Sequence, residues 1–219
     1  MQGELFDIQH HLSALTQLGA TWIMWLLVGL SVVCLGLVLE RALYFWRSRV
    51  DAALLTRRLD DGVQRGRLVH LSEELSRARS PEARILAAGI DAARGGAGGV
   101  QERLTARTEL ARLDMERHLA FLGTIGNNAP FVGLLGTVIG IVGAFHELEN
   151  AAGQVTAGLM SEIGEALVAT AIGLLVALPA VAFFNLFQRL TRARLARAEA
   201  LGQELLSHLK RGDAAAPAE

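Results

Sequence analysis

The sequence predicts an all-α membrane protein with three transmembrane helices, the second and third extending into a cytoplasmic helical bundle. Three observations predict it. The stretches 8–39, 119–145 and 166–188 contain no Asp, Glu, Lys or Arg, and about 20 apolar residues suffice for a helix to cross the hydrocarbon core. The 21 Lys and Arg are distributed one-sidedly. No stretch shows the alternation of a half-buried strand. Bulk composition does not decide the class: 52% hydrophobic residues and a formal net charge of -1 fit a soluble domain as well as a small membrane protein. The distribution of charge does.

Residues 1–18 read as a short outer segment, with Leu5, Phe6, Ile8, Leu12 and Leu15 suggesting an interfacial helix. The first span is 19–40, with its apolar core at 21–39. It does not read as a cleaved signal peptide. Its leading segment carries Glu4 and Asp7 rather than basic residues, and Glu40-Arg41 follows where small residues should stand. Cys34, the only cysteine, lies in this span, excludes an intrachain disulfide and reads as a small packed side chain.

Orientation follows from the basic residues. The first is Arg41. All lie between the first and second spans or after the third, and cytoplasmic flanks collect Lys and Arg. The amino terminus is therefore expected outside and the carboxyl terminus inside. Tyr44, Phe45 and Trp46, with Arg41 and Arg47, read as a cytoplasmic interfacial anchor.

The cytoplasmic segment, 41–118, reads as helices. Leu54, Leu55, Leu59 and Val63 recur at helical spacing, as do Leu68, Leu71 and Leu75. Ser80-Pro81-Glu82 is a helix start. Gly95-Gly96-Ala97-Gly98-Gly99 reads as a flexible break. The arginine-rich faces are interleaved with Asp51, Asp60, Asp61, Glu73, Glu74 and Glu82, the pattern of a solvated helix surface rather than of a nucleic-acid interface. From Val100 the helical pattern runs without a breaker through Glu116 into the second span, 119–145. An outer connection, 146–154, leads to the third span. Residues 189–219 read as a helix closing on a disordered end from Ala214.

The second span carries small residues on one face: Gly126, Ala129, Gly133, Gly136, Gly140 and Ala144. The third does likewise with Ala166, Thr170, Gly173, Ala177 and Ala180. Such seams let helix backbones approach in lipid. They serve packing within the chain, and their excess over what three spans need favours an oligomer. Thr137 and Thr170 sit on these faces. A membrane Thr commonly bonds back to its own helix; the alternative is that the two hydroxyls solvate an ion or a carboxyl group. Pro130 and Pro179 each interrupt a span and free a carbonyl, marking kinks.

Glu165 stands at the head of the third charge-free run. An ionisable group at membrane depth costs about 3 kcal/mol or more unless paired, solvated or protonated. Either it occupies the first turn of the helix, where the macrodipole favours a carboxylate, or it serves ion binding or proton relay. Glu162 reads as a first-turn residue.

The segment Ala129-Pro130-Phe131-Val132-Gly133-Leu134-Leu135-Gly136-Thr137-Val138-Ile139-Gly140-Ile141 resembles the second-span signature of the MotA/TolQ/ExbB proton-channel family. Glu162-Ile163-Gly164-Glu165-Ala166-Leu167-Val168-Ala169-Thr170-Ala171-Ile172-Gly173-Leu174, followed by Ala177-Leu178-Pro179-Ala180 and Asn185, resembles the third. Three spans and a large first cytoplasmic loop match the TolQ/ExbB branch. The resemblance is dense over 119–190 and topological elsewhere.

The resemblance implies a stator subunit of the bacterial inner membrane, working by proton motive force. It implies a homo-pentameric ring around two copies of a single-span ExbD/TolR-like partner whose Asp carries the proton. Glu165, Thr137 and Thr170 would line the ion path, with Gly133, Gly136, Gly140, Ala166, Gly173 and Ala177 on the packing or pore face. It also starts the third helix earlier, giving a span of 155–188. The alternative is a passive scaffold assembling partner helices. Nothing points to an enzyme: there is no phosphate loop or triad, the six His show no ligand spacing, and no metal or cofactor is expected.

Overall fold

The computed structural model describes residues 21–215. The segment expected over 1–18, and residues 216–219 of the expected disordered end, lie outside the described residues. Every regular element among the described residues is helical: α1 (Thr21–Arg47), α2 (Ala52–Gln64), α3 (Leu68–Ser76), α4 (Pro81–Asp91), a 3-10 turn (Ala92–Gly95), α5 (Gly96–Glu116), α6 (Leu119–Asn150) and α7 (Ala157–Ala215). Helices α1, α6 and α7 carry stretches long and apolar enough to cross a membrane, with mean hydropathies of 2.5, 1.7 and 2.5.

The chain divides into two compact units. One comprises the described residues up to Leu39 with Ala120–Asn185; the other comprises Glu40–Leu119 with the chain from Leu186. In the first unit Ile23 and Leu27 of α1 are fully buried. The closest packing there is between α6 and α7, at their glycines.

The second unit has a leucine core. Leu55 and Leu59 of α2, Leu71 and Leu75 of α3, Ile85, Leu86 and Ile90 of α4, Val100 and Leu104 of α5, and Leu201 and Leu205 of α7 form one buried cluster. The starts of α2 and α4 follow from capping. Asp51 accepts a hydrogen bond from the Ala53 amide at 2.9 Å. Ser80 accepts one from Ala83, with Pro81 at the first helical position, where a missing N–H costs nothing.

Beside this core lies a buried polar network. Arg194 donates to the Ser48 hydroxyl at 2.6 Å and the Phe45 carbonyl at 2.7 Å. Its guanidinium lies 5.0 Å from the Phe45 ring centre, and Phe45 stacks on Phe187. Glu82 stands 3.9 Å from Arg194. Burial pushes the Glu82 carboxyl above the usual carboxylate range, with Arg194 opposing the rise.

Several local expectations change. Phe45 and Arg41 are buried rather than interfacial, and only Trp46 of the aromatic trio is strongly exposed. The Arg41 guanidinium donates to the Asp114 carbonyl at 3.2 Å and pairs with the Glu40 carboxylate at 2.5 Å. The helical chain does break at the glycine run, but only at its start. Gly96, at φ 77°, makes the turn alone, and Ala97, Gly98 and Gly99 already belong to α5. The helix expected to continue past Glu116 breaks at Arg117-His118, where His118 adopts φ 64° and its ring lies 3.1 Å from Glu40. Residues 146–150, read as connection, extend α6. Absence of charge marks the hydrocarbon layer, not the helix end, and the chain turns only at Ala152 and Gly153, both left-handed.

Candidate ion site in the membrane unit

The α6–α7 seam brings the predicted small residues together inside one chain. A β-carbon on Gly133 would stand 2.8 Å from the Ala169 carbonyl oxygen and 3.0 Å from Thr170 Cα; one on Gly173 would stand 2.7 Å from the Ala129 carbonyl oxygen. On Gly136 it would meet Ala169 and Ile23, and on Gly140 it would meet Ala166. Ala166 and Ala177 are buried in the same packing. These residues therefore pack the chain's own helices against one another. Pro130 and Pro179 lie inside continuous helices.

Close approach places the hydroxyls. The Thr170 hydroxyl donates across the seam to the Gly133 carbonyl at 3.0 Å rather than back into its own helix. Thr137 Oγ1 lies 2.6 Å from Thr170 Oγ1 and 3.0 Å from the Leu134 carbonyl. Each hydroxyl has one proton and two lone pairs. With Thr170 directed to Gly133, Thr137 donates either to Thr170 or to its own helix. The pair keeps lone pairs free to accept a proton donor.

Glu165 stands apart from that pair. Helix α7 begins at Ala157, capped by Thr156, whose hydroxyl accepts from the Leu159 amide at 3.2 Å. Glu165 is thus in the third turn, about 12 Å along the helix. The macrodipole acts within the first turn, so it does not explain this carboxylate. Nor is Glu162 a first-turn residue. Its carboxylate occupies the gap left by Gly143, with Oε2 buried and without a hydrogen-bond partner.

Five residues separate Glu165 from Thr170, roughly 140° around the helix. Accordingly Glu165 is exposed on the surface of the chain, and it accepts a hydrogen bond from Thr21 of α1 at 3.3 Å. Thr21 was not singled out in the sequence; a hydroxyl at the outer end of the first apolar core was the available signal.

The structure thus offers an outward-facing carboxylate on a membrane-length helix, backed by a hydroxyl pair in a glycine seam. With three helices long and apolar enough to cross a membrane, that describes a multi-span helical membrane protein. The chain belongs to the MotA/TolQ/ExbB proton channel family, which it matches over residues 77–200, more than half its length.

The relatives lie on the TolQ/ExbB side. The chain is 45% identical over 84 residues to an ExbB-like 2 biopolymer transport protein of Helicobacter pylori, covering 37% of this chain and 56% of that protein. It is 40% identical over 91 residues to the biopolymer transport protein ExbB of Xanthomonas campestris pv. campestris, covering 42% and 36%. It is 39% identical over 97 residues to the Tol-Pal system protein TolQ of Pseudomonas aeruginosa, covering 44% and 42%. The chain therefore spans at most just over half the length of these three.

Proposed function

We propose that this protein is a proton-channel stator subunit of an inner-membrane motor that converts proton motive force into mechanical work on the cell envelope. Outer-membrane transport, envelope maintenance and gliding motility are the candidate outputs, and protons rather than sodium the ion. The observation that carries the reading is Glu165. It sits in the third turn of an apolar helix, is exposed on the single chain, and among the described residues accepts a hydrogen bond from the Thr21 hydroxyl. Left against lipid, it would cost about 3 kcal/mol or more. Water in a pore, or a partner helix bearing a titratable group, removes that cost.

In this reading five copies form a ring around a dimer of a single-span ExbD/TolR-like subunit. Glu165, Thr137 and Thr170 lie along the ion path. Ring contacts come from outward apolar side chains such as Phe131, Leu134 and Val138 of α6 and Leu167, Leu174 and Leu178 of α7, all exposed on the single chain. The amino terminus faces the periplasm and the carboxyl terminus the cytoplasm. A reporter after Arg94 should then read cytoplasm and one at Gly153 the outer side; the reverse would overturn the orientation.

Proton flux in membranes carrying both subunits tests the site. Glu165→Gln should abolish flux while expression and partner binding persist, and Glu165→Asp should keep part of it. Thr137→Val should reduce flux less, since water replaces a hydroxyl more readily than a titratable group. Wild-type flux in Glu165→Gln would rule out an essential titrating role for this carboxylate; absence of flux in the wild type itself would return the chain to a passive scaffold.

A further inference from the structure

The fold assembles a cluster that sequence spacing could not show. Asp60 of α2, with Glu204 and His208 of α7, places three ligand atoms within 4.8 Å of one another. We propose that these residues form a divalent transition-metal site of the zinc class that clips α2 to α7.

Glu204 and His208 stand at i and i+4, on one face of α7 and one above the other. Asp60 reaches them from the second helix, with its carboxylate 3.3 Å from His208 Nε2. Donors around a tetrahedral zinc with bonds of about 2.0–2.2 Å lie about 3.4 Å apart, so this pair is already at ligand separation. Glu204 closes the set by a side-chain rotation. The scaffold is rigid: Leu59, next to Asp60, and Leu205, next to Glu204, are fully buried in the leucine core.

The charges also ask for a cation. The neighbouring Asp61 is paired with Arg65 at 2.9 Å, whereas among the described residues no hydrogen bond or ion pair engages the Glu204 carboxylate. Two carboxylates with one imidazole suit zinc, cobalt or nickel better than calcium or magnesium, which favour all-oxygen shells. The half-buried position leaves a fourth place for water. Arg211 points at His208 Nδ1 from 3.4 Å. Metal on Nε2 moves the imidazole proton to Nδ1, so the exposed Arg211 must swing aside.

The test uses the full chain, purified in detergent without a histidine tag and stripped of metal. Cobalt titration should give the intense visible bands of a four-coordinate site at one ion per chain, displaced by zinc. His208→Gln should weaken cobalt binding at least tenfold, and Asp60→Asn with Glu204→Gln should abolish the bands. Arg211→Ala, which removes the competing donor, should bind as tightly as wild type or tighter. A cobalt spectrum like that of the aqueous ion, or equal retention by wild type and the Asp60→Asn/Glu204→Gln/His208→Gln variant, would overturn the site. Because the readout is spectroscopic, its failure leaves the proton-channel reading untouched.

Discussion

Along residues 166–180, α7 meets its neighbours through Ala166, Ala169, Gly173, Ala177 and Ala180; along 194–206 it meets them through Leu195, Leu201, Leu205, Leu206 and the guanidinium of Arg194. One helix of 59 residues is held by two chemistries. In lipid, burying a leucine gains nothing over leaving it in the acyl chains, so association rests on backbone contact and hydrogen bonds that only small residues permit. In water, apolar area is the driving force, so the packing faces fill with leucine. The glycine seam therefore tolerates no added volume, whereas the leucine core tolerates no lost volume.

That contrast is sharpest at Gly133. Gly133→Leu should prevent assembly of the first unit altogether. The added atoms meet the Ala169 carbonyl and the Thr170 backbone, which cannot rotate away, so the penalty exceeds the ~1–3 kcal/mol usual for overpacking. Protease resistance of α6 and α7 in detergent reads this, and a wild-type pattern would break the comparison. Arg194→Leu comes next, at about 3 kcal/mol, because it strands the Ser48 and Phe45 acceptors and leaves Glu82 buried without its cation. Leu86→Ala should cost about 3 kcal/mol by leaving a cavity, seen as a lower denaturation midpoint of the second unit. The same loss of volume at outward-facing Val32 should register nothing.

Glu82→Gln gives a smaller, pH-dependent effect. The folded pKa of Glu82 is raised by burial, so the folded state holds the proton over a pH range where the unfolded state, near pH 4.3, has lost it. Stability from this group is greatest below the unfolded value and declines as pH rises through the folded one. The variant should therefore gain on wild type across that window and hold a constant difference above it. A pH-independent difference would mean that Glu82 is not titrating in its buried position. Gly36→Ala is the smallest test: nothing lies within 4 Å of an added β-carbon there, and no change is expected.

Much of this was legible in the chain. Charge-free runs located the three apolar helices, since charge is excluded from hydrocarbon whatever the packing. Ser80-Pro81 marked the start of α4 because capping is local. Glu165 and the two threonines stood out for the same reason: polar groups are rare in and beside such runs. What was not legible depended on distant partners. Arg194 looked like any arginine of a basic tail, and its burial depends on Ser48 and Phe45, far away in sequence. Asp60 and His208 share no spacing rule because they lie on different helices. The break at Arg117-His118 carries no Gly or Pro and has no local signal. The seam residues were recognisable as a packing face, but which surface they pack against is a property of three dimensions.

The missing β-carbons of the seam bear on how this gene can vary. Any single-nucleotide change in a glycine codon that alters the residue adds at least a β-carbon. At Gly126, Gly133, Gly136, Gly140 and Gly173 that first carbon already falls within 3.0 Å of another atom. Saturation mutagenesis read out on folded protein should therefore show missense codons depleted most strongly at Gly126, Gly133 and Gly173, where the obstructing atoms include backbone. Gly29 and Gly36, with open space around them, should accept alanine and serine freely. The genetic tolerance of a glycine in this protein is set by the backbone across from it, not by the identity of the residue.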